Sequence, residues 1–282
     1  MVARLPYKLG YPIALRLDNR FVHNQDLSSA IKQGLKSFSN KTENPLNLDE
    51  VFKKYTSMHA RERLDTYRLT HLRRKDFEDQ VLLEGDDYAK QALSDGNGAI
   101  LIMAHYGRPV MLCSALAQKG PSIGMLTGSV QDNPNLDKVD LWFHYFGMQN
   151  TLNHSKGSWF TTRDDLRGLY KALKKGEIII VMMDLPAGAN GINTPFFGGH
   201  LHLPQGIIRI AQKTQARLIY GSAKEIADGR VHAKIYPLDS NPEKAMMQAV
   251  KYLERDITED CSQWWQWNLW PTLFIKDGNL EE

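Results

Sequence analysis

The pattern of hydrophobic and polar residues along the chain changes near residue 96. Before that point, apolar residues recur three and four positions apart, which is typical of amphipathic helices. Between 48 and 83 these apolar positions are Val51, Phe52, Tyr55, Met58, Leu64, Tyr67 and Leu72. We therefore predict a helical segment over residues 1–95 that packs on the main domain. Asn47 or Asp49 is the predicted cap of one helix, and 39–47 a loop.

After residue 96, short apolar runs alternate with segments of helical periodicity. The runs predict β-strands at 98–104, 122–128, 177–184, 217–223 and 231–238. The other segments predict helices at 109–119, 136–147, 164–175, 205–215 and 241–261. This alternation predicts an α/β core over residues 96–282, with a mixed, partly parallel sheet flanked by helices. We expect the two parts to form one structural domain.

Composition narrows the class of protein. Of the 282 residues, 42% are hydrophobic and 24% charged, an ordinary globular balance. The net charge of +3 fits an acidic partner, such as an anionic lipid surface or an acidic carrier protein, without requiring one. Only two cysteines occur, which excludes a disulfide framework and favours a reducing compartment.

The chain contains no segment that predicts a membrane span or a secretion signal. No run reaches the roughly 18 to 20 apolar residues that a span needs. The first 21 residues are interrupted by Pro6, Gly10 and Pro12 and lack the features of a signal peptide. We expect a cytoplasmic protein that is either soluble or peripheral at the inner face of the membrane.

His105 is the first candidate for chemistry. It ends the apolar run of ILIMAHYGRPVML, 100–112, and ligands of open α/β sheets bind at strand ends. Gly107 and Pro109 predict a tight corner that leaves the imidazole exposed. His105 is therefore either a general base or a hydrogen-bonded structural histidine. A carboxylate usually orients such a base, but position 110 holds a valine.

Asp184 is the second candidate. It ends the predicted strand at 177–184, so it lies on the same sheet edge as His105 if the two strands are parallel. It could orient a histidine, bind a polar acceptor, or simply form a turn. In the preceding helix, Thr162 or Asp164 is a predicted cap. The lysines near the end of that helix, Lys171, Lys174 and Lys175, suit its dipole.

Two aromatic segments allow two interpretations each. Phe196 and Phe197 could line an acyl groove or plug the core. The tryptophans of QWWQWNLWPTLF, 263–274, could meet a membrane surface or dock on the domain, and we favour docking. His200 and His202 have strand-like spacing, but no third ligand completes a metal set, so no metal is expected.

Several common functional motifs are absent from the sequence. It has no G-x-S-x-G elbow, Walker loop, G-x-G-x-x-G turn or C-x-x-C pair. The basic run HLRRK, 71–75, predicts a solvated helix face, and no nucleic-acid partner is expected.

Taken in order, five segments resemble the lysophospholipid acyltransferase superfamily. Within it they most resemble the bacterial lipid A late acyltransferases, the lauroyl and myristoyl transferase branch. The segments are LPYKLGYPIALRL (5–17), the block ending AILIMAHYGRPVML (82–112), TTRDDLRGLYKALKKGEIIIVMMDLPAG (161–188), TPFFGGHLHLPQGIIRIAQKTQARLI (194–219) and QWWQWNLWPTLF.

The resemblance implies roles for individual residues. His105 matches the catalytic histidine, and Arg163 matches the arginine that faces the lipid phosphate or acyl intermediate. Asp184 matches an acidic loop residue. The implied substrate-binding residues are Tyr106, Arg108, Phe196, Phe197, Gly198 and Gly206.

Four departures from the family pattern bear on the acceptor. The family motif is a histidine, then four residues, then Asp or Glu, and this chain has Val110 at that last position. Its Thr-Gly is Gln205-Gly206 here, its terminal His-Arg-Arg is replaced by residues 268–270, and its N-terminal membrane helix is missing or truncated. The last three concern lipid A, so we expect a smaller acceptor.

The expected activity is transfer of a fatty acyl group from an acyl carrier protein or coenzyme A thioester to an amine or hydroxyl. No cofactor beyond this thioester co-substrate is expected. His105 would take the acceptor proton, and Arg163 with backbone N–H groups would stabilise the oxyanion. Asp184 would supply the missing carboxylate or hold the acceptor. Basic helices at 61–75 and 171–175 would suit an acidic carrier.

Two alternatives remain open. The first is a membrane-surface O-acyltransferase of lipid A or a lysophospholipid that uses a displaced acid. The second is a non-catalytic relative that binds an acyl carrier. Loss of the acid at position 110 favours the second, whereas retention of His105, Arg163 and Asp184 opposes it.

Overall fold

A computed structural model describes residues 2–17, 24–42, 44–69, 71, 78–128, 138–187 and 191–276, without the side chains of 138–140, 143 and 144. The HLRRK segment lies mostly outside these residues. Among them, no helix is long and apolar enough to cross a membrane.

Helices dominate the first part of the chain and then alternate with strands. The helices are α1 (Tyr7–Leu17), α2 (Gln25–Ser39), α3 (Leu48–Arg68), α4 (Asp86–Leu93), α5 (Pro109–Ala117), α6 (Lys138–Ser155), α7 (Arg167–Lys174), α8 (Gly206–Thr214), α9 (Pro242–Glu259) and α10 (Trp270–Leu273). Short 3-10 helices cover Val2–Arg4, Cys261–Gln263 and Gln266–Leu269. The Asn47 cap is confirmed, because its side chain accepts a hydrogen bond from the N–H of Glu50.

The strands form two sheets. They are β1 (Val81–Glu84), β2 (Ala99–Gly107), β3 (Ile123–Thr127), β4 (Lys156–Thr161), β5 (Ile178–Met182), β6 (Gly191–Phe196), β7 (Gly199–Pro204), β8 (Arg217–Glu225), β9 (Val231–Pro237) and β10 (Phe274–Lys276). The larger sheet has the order β1-β9-β8-β2-β5-β3-β4, and the smaller has the order β10-β7-β6.

The larger sheet confirms the predicted fold class. Every neighbouring pair in it is parallel except β8 and β9. Strand β2 lies in the middle, and all its residues from Ala99 to Ala104 are buried. A strand covered on both faces needs such a continuous apolar run, which is why β2 and β5 were recognisable from the sequence.

Some elements differ from the prediction. Strand β1 lies within the segment predicted to be helical, and β4 was missed. Helix α6 extends to Ser155 rather than 147. The predicted caps of the helix after β4 are wrong: α7 begins at Arg167, and Asp164 instead accepts a hydrogen bond from the N–H of Thr161 at 2.5 Å.

The tryptophan-rich segment docks on the domain, as we favoured. Trp264 and Trp267 are fully buried, and Trp270 is almost so. Their rings contact Phe38 of α2 and Phe196 of β6. This aromatic cluster joins α2, the small sheet and the C-terminal segment beneath the end of β2.

Candidate active site

The register of the central strands brings His105 and Asp184 together. Met103 of β2 pairs with Met182 of β5 in a parallel ladder. Each candidate lies two residues beyond one member of this pair, so both side chains leave the carboxyl edge of the sheet on the same face. The expected proximity of the two residues is present in the structure.

The two side chains form a direct contact. His105 Nδ1 lies 2.8 Å from Asp184 Oδ1. The backbone N–H of His105 also donates to both carboxylate oxygens, at 3.0 and 2.9 Å. Asp184 is fully buried, whereas the His105 side chain is 22% exposed. A carboxylate can only accept, so the neutral imidazole carries its proton on Nδ1 and presents the lone pair of Nε2.

That lone pair is available for chemistry. Within the described ranges, no protein group hydrogen-bonds to Nε2 of His105. The arrangement therefore has one nitrogen fixed by a buried carboxylate and the other open to accept a proton.

The C-terminal segment covers the pair from the other side. Trp264 Nε1 donates to Asp184 Oδ2 at 2.8 Å, and the N–H of Trp265 donates to the carbonyl of His105 at 2.8 Å. Trp265 Nε1 donates to the carbonyl of Gly107 at 3.0 Å. Sequence reasoning gave this segment no role at the site. The signal available for such a role was the set of Gln and Trp residues in QWWQWNLWPTLF, which resemble the C-terminal segment of the family.

Tyr106 and Arg108, predicted to bind substrate, direct their polar atoms at other protein groups. The Tyr106 hydroxyl donates to the carbonyl of Asp256 at 2.7 Å, and its side chain is buried. Arg108 is also fully buried, and all three of its guanidinium nitrogens bond to protein groups. These partners are Tyr11, Asp65, Glu225 and the Gly229 carbonyl. Both side chains are structural in this arrangement.

A carboxyl group contacts the backbone of Val110, but it belongs to a residue of another helix. The N–H of Val110 donates to Glu62 Oε1 of α3 at 3.0 Å, which caps the start of α5. Burial raises the pKa of Glu62 to about 8, and the charge of Asp65 adds to the effect. Sequence reasoning missed Glu62. The signal was two acids, Glu62 and Asp65, among the apolar positions of an amphipathic helix.

The predicted acyl-groove residues form a packed hairpin. Phe196 is 1% exposed and belongs to the aromatic cluster, as in the core interpretation. Phe197 and Gly198 form the turn between β6 and β7 with positive φ angles of 47° and 67°. The Phe197 N–H donates to Glu254 at 2.6 Å. Gly206 is exposed at the start of α8.

Arg163 lies on the same sheet edge but far from His105. It follows β4, which is three strands from β2, so their strand ends are separated by about 14 Å. Its side chain is exposed. The predicted contact of Arg163 with an oxyanion at His105 therefore stays a prediction. At the start of α5, the N–H groups of Val110 and Met111 bond to Glu62 and the Arg108 carbonyl.

Several basic residues of the two predicted carrier-binding segments, 61–75 and 171–175, lie in the described part of the chain. Lys174 and Lys175 lie before β5, about 16 Å along that strand from its carboxyl end. Arg61 pairs with Glu225, and Arg68 is buried against Tyr7. His202 bonds to Asn193 at 2.6 Å, and the described residues contain no cluster of metal-binding side chains.

A histidine–carboxylate pair at the carboxyl end of a central parallel strand defines an α/β protein equipped for proton transfer. The family model of the bacterial lipid A biosynthesis acyltransferases matches residues 46–272, and the chain belongs to this family. This match confirms the resemblance at the level of the family. No curated protein matches the chain.

Proposed function

We propose that the protein transfers a fatty acyl group from a thioester of acyl carrier protein or coenzyme A to an amine or hydroxyl acceptor smaller than lipid A. The His105–Asp184 contact carries this proposal, together with membership of an acyltransferase family. Position 110 holds a valine instead of an acid, but His105 still has a carboxylate partner, because Asp184 reaches it from the neighbouring strand.

His105 acts as the general base. Its Nε2 accepts the proton of the acceptor hydroxyl or amine as that group attacks the thioester carbon. The tetrahedral intermediate then expels the thiolate, which takes up the proton. Asp184 holds the imidazole in the tautomer with a free Nε2 and stabilises the imidazolium. No acyl-enzyme is needed.

Asp184 also weakens the case for a non-catalytic relative. That alternative depended on the absence of an acid at position 110 to pair with His105. A buried carboxylate 2.8 Å from Nδ1, with three N–H groups directed at it, is a costly arrangement for a side chain that only fills space.

For Arg163 we propose a contact with an anionic group on the carrier arm or on the acceptor, because it follows a strand whose end is about 14 Å from the end of β2. Because amines need less help from a base than alcohols, N-acylation remains open beside O-acylation.

A membrane-surface O-acyltransferase is the second candidate, and α1 favours it. Leu9 and Leu15 on this helix are 58% and 38% exposed. Residues 2–17 contain three basic residues and no acidic one. A helix of this kind suits an anionic lipid surface, where a lipid acceptor would lie.

The test is a thiol-release assay. Purified protein is given a panel of acyl-carrier and acyl-coenzyme A thioesters with pooled amine, alcohol and lysolipid acceptors. The His105→Ala variant is compared with His232→Ala, a matched control. His232 also pairs with a carboxylate, Glu84, and its side chain is 26% exposed, against 22% for His105.

The outcomes separate the alternatives. Acceptor-dependent release that only His105→Ala abolishes supports the proposal, and the acceptor that works distinguishes the soluble from the lipid reaction. Equal release by both variants removes His105 as the base. Carrier binding without release from any pair favours the non-catalytic relative.

A further inference from the structure

We propose that Trp264 is a positioning residue for this reaction: its indole N–H fixes the Asp184 carboxylate so that Oδ1 faces the His105 ring. This inference rests on the proposed function, but its geometric part can be tested without activity. Trp264 would not touch the substrate, and would act only through Asp184.

The contacts of the carboxylate define the role. Oδ1 faces His105 Nδ1 at 2.8 Å, and Oδ2 accepts the indole N–H of Trp264 at 2.8 Å. Besides Trp264, the donor to Oδ2 among the residues that the structure describes is the backbone N–H of His105, which both oxygens share. Because that N–H serves either oxygen, it does not by itself fix the rotation of the carboxylate. The indole N–H does so from the opposite side.

Trp264 is itself held rigidly. It is fully buried and pairs with Tyr106 in an isolated antiparallel bridge beyond the end of the β2 ladder. Its ring meets Trp267 edge-to-face at 4.8 Å and Phe196 at 6.1 Å. A donor on a rigid support can orient its acceptor, since little freedom is left on the donor side.

Gln266 completes the enclosure of the pair. Its Nε2 lies 3.0 Å from His105 Nδ1 and 3.1 Å from the carbonyl oxygen of Asp184. Since Nδ1 donates its proton to Asp184, the amide of Gln266 donates to the carbonyl. Residues 264–266 therefore contact the acid, the backbone of His105 and the imidazole in turn.

The experiment compares Trp264→Phe with Trp267→Phe. The two tryptophans are equally buried in the same cluster, and each indole N–H makes one hydrogen bond. Trp267 donates to the carbonyl of Cys261 at 2.9 Å, and only Trp264 donates to Asp184. The two substitutions remove the same volume, so loss of packing affects both variants alike.

The expected result is a split between kcat and KM. Trp264→Phe lowers kcat about 10-fold to 100-fold, the effect of losing one hydrogen bond to a buried charge, with KM within about twofold. Trp267→Phe leaves kcat within about threefold of the wild type. An equal fall in both variants, or wild-type kcat in Trp264→Phe, overturns the proposal.

A second readout does not depend on activity. In protein labelled with 15N-histidine, protonated and unprotonated ring nitrogens resonate far apart, and His105 is assigned by its loss in His105→Gln. We expect a protonated Nδ1 in the wild type and Trp267→Phe, and a mixture of tautomers in Trp264→Phe. The same tautomer in all three overturns the inference. Failure of acyl transfer in the wild type would count only against the proposed function.

If Trp264→Phe does not fold, Trp264→3-benzothienylalanine replaces it. This residue keeps the ring size and removes only the N–H donor. The same kcat loss and the same mixture of tautomers are expected, and wild-type behaviour of this variant is equally decisive against the role of Trp264.

Discussion

Two groups of ionisable residues lie at the end of the central strand β2, and they differ in whether a nitrogen atom is left to bind a substrate. His105 has one nitrogen fixed by Asp184, while its side chain remains 22% exposed. Three residues later, Arg108 is completely buried and each of its nitrogens is bonded. The first group can accept a proton from a substrate. In the Arg108 group, every guanidinium nitrogen is already hydrogen-bonded to the protein, and these bonds join α1 and α3 to the end of β2.

The comparison shows that charge at a strand end does not identify a reactive group. Arg108 and Tyr106 have the side-chain types expected of a binding site, yet their bonds are all directed into the protein. A reactive group needs one side restrained and another available. In this stretch only His105 meets both conditions.

The largest expected effect comes from removing the charge of the buried aspartate in each group. Asp184→Asn is expected to lower kcat about 100-fold or more, because the amide disfavours the imidazolium and the required tautomer. Thiol release with the best substrate pair measures this. Asp65→Asn, at an equally buried aspartate, is the control and should reduce stability while sparing kcat in the folded protein. Wild-type kcat in Asp184→Asn would contradict the assigned role.

The Arg108 group should respond in stability. Arg108→Met leaves Asp65 buried without its partner and is expected to lower the free energy of unfolding by about 3 to 5 kcal/mol. Urea denaturation measures the change. The double variant Arg108→Met/Asp65→Leu should recover a large part of the loss, because it leaves no orphaned charge there. Losses that simply add would show that the two charges do not depend on each other.

The same contrast explains what the sequence could predict. Strands β2 and β5 were recognisable as long apolar runs, and their parallel ends place His105 beside Asp184. Strands β1 and β4 were missed because each lies at an edge of the sheet, where most of its residues are exposed or half-buried. Their sequences, VLLE and KGSWFT, carry little of the pattern of a covered strand.

The direction of individual side chains was beyond sequence reasoning. Arg108 turns inward to bond with Asp65, which lies 43 residues earlier in the chain. Trp264 likewise donates a hydrogen bond to Asp184, which is 80 residues away in the sequence. Local pattern contains no information on such pairings. Glu62 is different, since an acid at an apolar position of a helix was visible and predicts a buried partner.

Glu62 gives a smaller, pH-dependent effect. Burial raises its pKa to about 8, well above the value of about 4.3 in an unfolded chain. The folded state therefore binds this proton more tightly. The resulting stabilisation is complete below about pH 4 and is lost as the pH rises through 8.

Glu62→Gln removes this titration and keeps an oxygen for the N–H of Val110. Between pH 5 and 8, the melting temperature of the wild type should therefore fall relative to that of the variant, and thermal melts at several pH values measure the difference. Glu243→Gln, at an exposed acid, is the control and should track the wild type. A constant difference between wild type and Glu62→Gln would show that Glu62 does not titrate in this range.

The smallest expected effect concerns Arg163, and it tests whether this residue acts at the oxyanion or elsewhere on the substrate. Arg163 is exposed to water and follows a strand whose end is about 14 Å from that of β2, so we expect its guanidinium to contribute a weak, screened attraction to a substrate anion. Arg163→Ala should raise KM about threefold to tenfold at low salt, less at high salt, and leave kcat nearly unchanged. Steady-state kinetics at two ionic strengths measure this, with Arg167→Ala as the control, since Arg167 is a second exposed arginine in the segment that follows β4. A kcat loss as large as that of His105→Ala would instead place Arg163 at the oxyanion. The turn after β4 would then have to close over the edge of the sheet when substrate binds.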